Sequence, residues 1–159
     1  PENVWGSAAT AAVCSILAVY SPWDSMLFRV GFAASLATKL SDTMASEIGK
    51  AYGKTTYLIT TLERVEPGTE GAVSVEGTAA GVIGSIILAL YAWFVGIIRP
   101  PGILLCMFAA FVATNVESVI GATAQGKYPW LTNEVVNFIN TTVGALVAMG
   151  MYMLLIGSG

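Results

Sequence analysis

The sequence predicts an all-α protein, a polytopic transmembrane helical bundle with about five membrane helices, and three observations predict it. Of 159 residues, 55% are hydrophobic and only 11% are charged, against about 25% charged in ordinary soluble domains. The apolar residues fall in runs of about 17 to 25, long enough to cross a hydrocarbon core about 30 Å thick. Proline and glycine break these runs, as at Ser21-Pro22 and Arg99-Pro100-Pro101-Gly102.

The first span covers about Val4 to Tyr20 and stops at Ser21-Pro22, because proline disfavours a helical conformation in the residue before it. The second begins near Ser25, runs through Leu40 and continues as a polar helix toward Gly53. Thr78 to Ile98 contains no charge and ends at Arg99-Pro100. Ile103 to Ala122 returns across the membrane carrying Asn115 and Glu117, and the fifth span runs from about Asn133 to Ile156. No internal repeat divides the chain, so residues 1–159 read as a single transmembrane domain. It opens at Pro1 without an initiator Met or a signal pattern, which leads us to expect the C-terminal part of a longer polytopic protein.

Alternation of the spans puts the Gly53–Gly77 and Gly126–Trp130 loops on one face of the membrane. Lys50, Lys54, Arg64 and Lys127 gather there, against Arg29 and Arg99 opposite, so the positive-inside rule makes this face cytoplasmic or stromal.

Composition also excludes function classes. The formal charge is -3 and no basic tract is present, so nucleic acid is not an expected partner. Histidine is absent, which removes the commonest general base and any Ser-His or Cys-His pair. Cys14 and Cys106 sit inside apolar runs and read as buried small side chains. Chemistry is left to carboxylates, amides, hydroxyls and lysines.

Those groups are patterned. On the second helix Ser35, Lys39, Asp42, Ser46, Glu47 and Lys50 fall within a sector of about 140°. Charges at such depth in a membrane helix mark functional sites, although Lys39 and Lys50 can also simply pair with Asp42 and Glu47 or snorkel. The stretch Gly68-Thr69-Glu70-Gly71, then Ser74-Val75-Glu76-Gly77-Thr78, runs into the third span. Glycines and a helix amino terminus can cradle phosphate, and Glu70 and Glu76 then require a cation or nearby Arg64 and Lys54. The alternative is a glycine loop in which Ser74 or Thr78 caps the helix. Asn115 and Ser118 share a face of the fourth helix, with Glu117 about 160° from Asn115. Asn133, Asn137, Asn140, Thr141 and Gly144 form a stripe on the fifth, suited either to a metal-phosphate substrate or to interhelical hydrogen bonding. All four segments aim at the same membrane surface.

From Ala37-Thr38-Lys39-Leu40-Ser41-Asp42-Thr43-Met44-Ala45-Ser46-Glu47-Ile48-Gly49-Lys50 the chain resembles the plant and cyanobacterial phytyl-phosphate kinases. The resemblance continues through Gly53-Lys54-Thr55-Thr56, the Gly68–Thr78 stretch, Asn115-Val116-Glu117-Ser118 and Trp130–Asn137. It implies an integral membrane enzyme of the chloroplast envelope or thylakoid, or of a cyanobacterial membrane. The implied reaction converts phytyl monophosphate to phytyl diphosphate for tocopherol synthesis with CTP as phosphoryl donor, and dolichol kinases and CDP-diacylglycerol synthases are more distantly similar.

The expected site has Asp42 and Glu47 as Mg²⁺ ligands and Lys39 and Lys50 as catalytic phosphate contacts. Gly68, Thr69, Glu70, Gly71, Ser74, Glu76, Gly77 and Thr78 form the phosphate cradle, and Asn115, Glu117, Asn133 and Asn137 complete it. A prenyl-phosphate lipid is the expected substrate, docked in an apolar groove. A different class of function, a non-catalytic subunit or conducting bundle, uses the same polar residues only as interhelical contacts or path lining.

Overall fold

Proline and aspartate make the first corner. α1 (Glu2–Tyr20) ends just before Ser21-Pro22, and the Asp24 side chain caps α2 (Ser25–Tyr52) by accepting from the Met26 amide at 2.9 Å. The structure, a computed structural model, describes residues 2–156, with side chains from Trp5 onward. At 28 residues α2 is about 42 Å long, more than the hydrocarbon thickness, so its last turns stand clear of the apolar layer. That length accommodates an apolar first half and a polar second half in one helix.

α2 touches all four other helices: α1, α3 (Val75–Phe94), α4 (Pro100–Thr123) and α5 (Asn133–Leu155). Small residues bring them close. Ala33, Ala34 and Ala37 of α2 are fully buried, as are Cys106, Ala109 and Ala110 of α4, Ala89 of α3 and Ala148 of α5. Along α3, Gly77, Gly81 and Gly84 face α2, where a Cβ would stand 2.6 Å from the Ala45 carbonyl, 3.0 Å from the Ser41 carbonyl and 2.7 Å from the Met44 sulfur.

All five expected helices form. α3, α4 and α5 are long and apolar enough to cross a membrane, and α1 contributes a shorter apolar helix, Trp5–Tyr20. α2 falls outside that measure of length and composition; Arg29, Lys39 and Asp42 interrupt its apolar run. Three boundaries move from the sequence expectation, one of them the end of α3, which stops at Phe94 rather than Ile98 as the chain turns through Gly96 at φ +75°. α3 starts at Val75 because Ser74 caps it, accepting from the Gly77 amide at 3.1 Å. α4 starts at Pro100 because proline is tolerated in a first helical turn.

The segment between α2 and α3 holds two short strands, β1 (Tyr57–Leu58) and β2 (Ala72–Val73), paired antiparallel with Tyr57 opposite Val73. Antiparallel alternation gathers this segment, the end of α4 and the start of α5 at one end of the bundle. At the other end the Tyr152 hydroxyl donates to Asp24 at 2.6 Å.

Candidate functional site

The polar half of α2 forms the floor of a cleft of about 980 Å³, counting its open mouth. α4 walls it with Thr114, Glu117, Ser118 and Gly121, which recur at i, i+3, i+4 and i+7 and therefore share a face. The β1–β2 segment covers it. Gly71 has φ +76°, and a Cβ there would stand 2.5 Å from the Ala122 amide nitrogen and 2.5 Å from the Ser118 carbonyl, so only glycine lets this segment seat against α4.

Within the cleft Asp42, 8% exposed, is the best-connected charge. Lys39 Nζ donates to Asp42 Oδ2 at 3.0 Å and to Asn137 Oδ1 of α5 at 2.6 Å. The Glu117 carboxyl lies within hydrogen-bonding reach of Asp42 and accepts from Asn140 Nδ2. Asn140 is 1% exposed, and its own Oδ1 has no partner among the described residues. Lys39 offsets the charge of Asp42, and a further proton or cation between the two carboxyl groups relieves the repulsion that remains. Among the described residues no cluster of three or more His, Cys, Asp or Glu forms a self-sufficient metal cage. The pair of Asp42 and Glu117 fits Mg²⁺, which is commonly held by one or two carboxylates with phosphate oxygens completing the shell.

Of the residues expected from sequence, Asp42, Lys50, Gly68, Thr69, Glu70, Gly71, Ser74, Gly77, Thr78, Asn115 and Glu117 line this one cleft. Lys39 and Asn137 stand behind it, joined to it through Asp42. Glu47 does not join Asp42: five residues on a helix turn about 140°, and Glu47 is 70% exposed and paired with Lys50 at 3.7 Å. Glu117 of α4 takes the place expected for it. Glu76 and Asn133 also lie outside the lining, Asn133 accepting from Gln125 Nε2 at 2.5 Å. The cradle differs in detail as well, since Ser74 occupies the Gly77 amide and the glycines at 71, 77 and 81 serve close packing.

Sequence reasoning missed Thr56, Thr114 and Gln125, all in the lining. Thr114 was findable from its helical spacing to Ser118; Thr56 and Gln125 lie outside the helices and carry no periodic signal.

The sequence matches the family described as "Integral membrane protein DUF92" over residues 1–145, a stretch that contains every residue of the cleft. The chain belongs to this family. Among its relatives, "Uncharacterized membrane protein sll0875" of Synechocystis sp. is 60% identical over 94% of this chain and 58% of its own length. "Protein VTE6, chloroplastic" of Arabidopsis thaliana is 50% identical over 94% of this chain and 46% of its own. "Uncharacterized membrane protein MJ0933" of Methanocaldococcus jannaschii is 36% identical over 95% and 61%. This DUF92 chain thus spans about half the length of the curated relatives it matches, and it is an integral membrane protein. No solved structure matches it significantly.

Proposed function

We propose that this DUF92 chain forms the phosphoryl-transfer site of a membrane kinase that converts phytyl monophosphate to phytyl diphosphate, with CTP as donor, for tocopherol synthesis. The observation that carries the reading is the carboxyl pair of Asp42 and Glu117 in a cleft whose lining also includes Lys50, with an apolar groove beyond its rim. Phe111, Val112, Val116, Val119 and Ile120 of α4 line that groove, and Phe111 and Asn115 belong to both. The groove lies on the side of α4 away from Glu117, so a prenyl tail seated in it passes its phosphate over the Phe111–Asn115 rim to reach the carboxyl pair. Burial at about 0.8 kcal/mol per CH₂ holds such a tail where a free phosphate would leave. The resemblance to phytyl-phosphate kinases supports the substrate and the pathway, and the relation to a chloroplastic protein and a cyanobacterial membrane protein supports a plastid or cyanobacterial membrane.

In this reading a phosphomonoester oxygen attacks the terminal phosphorus of CTP, forming one P–O bond as the bond to the leaving CDP breaks. The acceptor is already ionised, so the absence of histidine is no obstacle. Lys50 contacts the transferring phosphate, and Lys39, fixed between Asp42 and Asn137, holds Asp42 in place. Asn140 orients Glu117. Asp42 and Glu117 would hold Mg²⁺, whose charge neutralises the phosphates when bound.

The test is the full-length protein in detergent, given phytyl monophosphate and each nucleoside triphosphate in turn, with phytyl diphosphate measured by mass spectrometry. Formation with CTP but not without Mg²⁺ is expected. No product with any nucleotide, and no Mg²⁺-dependent nucleotide binding, would leave a non-catalytic membrane subunit.

A further inference from the structure

Next to the carboxylate cleft the segment between α2 and α3 encloses a second cavity of about 870 Å³, open to solvent. Lys54, Thr56, Arg64, Val65, Glu66, Pro67 and Thr69 form its walls. Local hydrogen bonds shape it: the Val65 amide donates to the Thr56 carbonyl at 2.9 Å, Tyr57 bridges to Arg64, and the Thr69 hydroxyl donates to the Glu66 carbonyl at 2.7 Å. Its charge is unbalanced. Lys54 and Arg64 face one carboxylate, Glu66, and among the described residues neither cation is in an ion pair.

Thr56 and Thr69 belong to both cavities. Thr56 is 5% exposed, and its hydroxyl has no hydrogen-bond partner among the described residues. A buried hydroxyl left unpaired is destabilising, and a phosphate oxygen passing between the cavities would satisfy it.

We propose that this loop cavity is the polyphosphate subsite of the donor nucleotide: Lys54 and Arg64 hold its inner phosphates, and Thr56 receives the terminal phosphate where it meets the carboxylate cleft. The site then has three compartments, a basic one open to water that meets the carboxylate one at Thr56 and Thr69, and an apolar one that meets it at Phe111 and Asn115. Donor and acceptor arrive from opposite phases, and only their phosphates meet. This deepens the kinase reading by naming which residues of the chain hold the donor.

The experiment uses the full-length protein in detergent with inorganic tripolyphosphate and CTP as probes, both with Mg²⁺, and phytyl monophosphate as a control. Lys54→Gln combined with Arg64→Gln should weaken both probes by about tenfold or more, since two charge-assisted contacts are lost, and leave phytyl monophosphate affinity unchanged. Thr56→Val should weaken them as well, and Thr56→Ser, which keeps the hydroxyl, should restore them. Circular dichroism and elution volume report folding for each variant. Wild-type affinity for tripolyphosphate in folded Lys54→Gln/Arg64→Gln, or no binding of either probe to the wild type, overturns the proposal. If kinase activity is absent while tripolyphosphate binding still depends on Lys54 and Arg64, the subsite stands and the kinase reading falls. If turnover is normal and CTP binds the double variant as tightly as wild type, the subsite falls and the kinase reading stands.

Discussion

α2 has two halves with opposite surroundings. From Val30 to Ala37 it is sealed, with Ala33, Ala34, Ser35 and Ala37 fully buried, and its one hydroxyl here is satisfied locally, Ser35 donating to the Phe32 carbonyl at 2.8 Å. From Lys39 to Lys50 the same helix borders an open cleft, and its polar groups find partners on other elements: Asn137 of α5 for Lys39, Glu117 of α4 beside Asp42. Burial by small residues therefore serves two ends. In the first half it closes the helix contacts around Ala33, Ala34 and Ala37; in the second, Gly77 and Gly81 bring α3 close while the cleft stays open beside them. A helix interior that needs nothing further and one whose charges await a ligand differ in where their polar groups must look for partners.

The sharpest way to break this contrast is Asp42→Asn. Shape is kept and charge is removed, so turnover should fall by about a hundredfold or more while the protein stays inserted and folded. Any residual activity should need more Mg²⁺, because one anionic oxygen ligand has become neutral. Turnover measured against Mg²⁺ for folded variant and wild type decides it; equal curves would remove Asp42 from the mechanism.

In the sealed half the expected effect is on stability alone. Ala37→Leu forces a larger side chain into full burial and should cost about 1–3 kcal/mol. Thermal unfolding in detergent should show the loss, with the Mg²⁺ requirement of the remaining folded protein unchanged. A shifted Mg²⁺ requirement would mean that the two halves are not independent.

A smaller effect is expected at the border of the cleft. Asn140→Ala removes the group that donates to Glu117, and loss of such an orienting partner typically costs about tenfold in metal affinity or activity. Asn140→Ser, which keeps a donor, should recover part of it. If turnover and the Mg²⁺ requirement stay at wild type in both, Asn140 only packs the bundle.

The smallest effect lies at the far end, away from the cleft. The Tyr152 hydroxyl, and after it the Met26 amide, donate to the Asp24 carboxylate and hold its pKa below the ordinary value. The stability this adds is fully present above the ordinary carboxylate value, about 4, and is lost as pH falls through the lower folded value. Tyr152→Phe should flatten the dependence of unfolding temperature on pH in that acid window and leave it alone at neutrality. Because Asp24 is exposed, the change is small, and an unchanged acid limb would show that solvent screens the contact entirely.

Local periodicity made much of this legible. The breaks at Ser21-Pro22 and Arg99-Pro100 placed the helices, and the sector of Ser35, Lys39, Asp42 and Lys50 marked the polar face of α2. Helical geometry depends only on the residues within each helix, so one sequence suffices for it. The same locality misled at Glu47, a neighbour of Asp42 in sequence that is turned away from it in space. Whether the third helix begins at Ser74 or Thr78 was left open by composition, and the hydrogen bond from the Gly77 amide resolved it.

The sequence by itself determined an all-α membrane bundle and the end of it at which the charges gather. The tertiary structure decided the pairings: Glu117 against Asp42, Asn137 on Lys39, Asn140 on Glu117, and Gly71 seated on α4. Each joins residues from different elements, and the rotation and depth of one helix against another are set by how small side chains interdigitate across the interface, which no repeat within a single helix encodes.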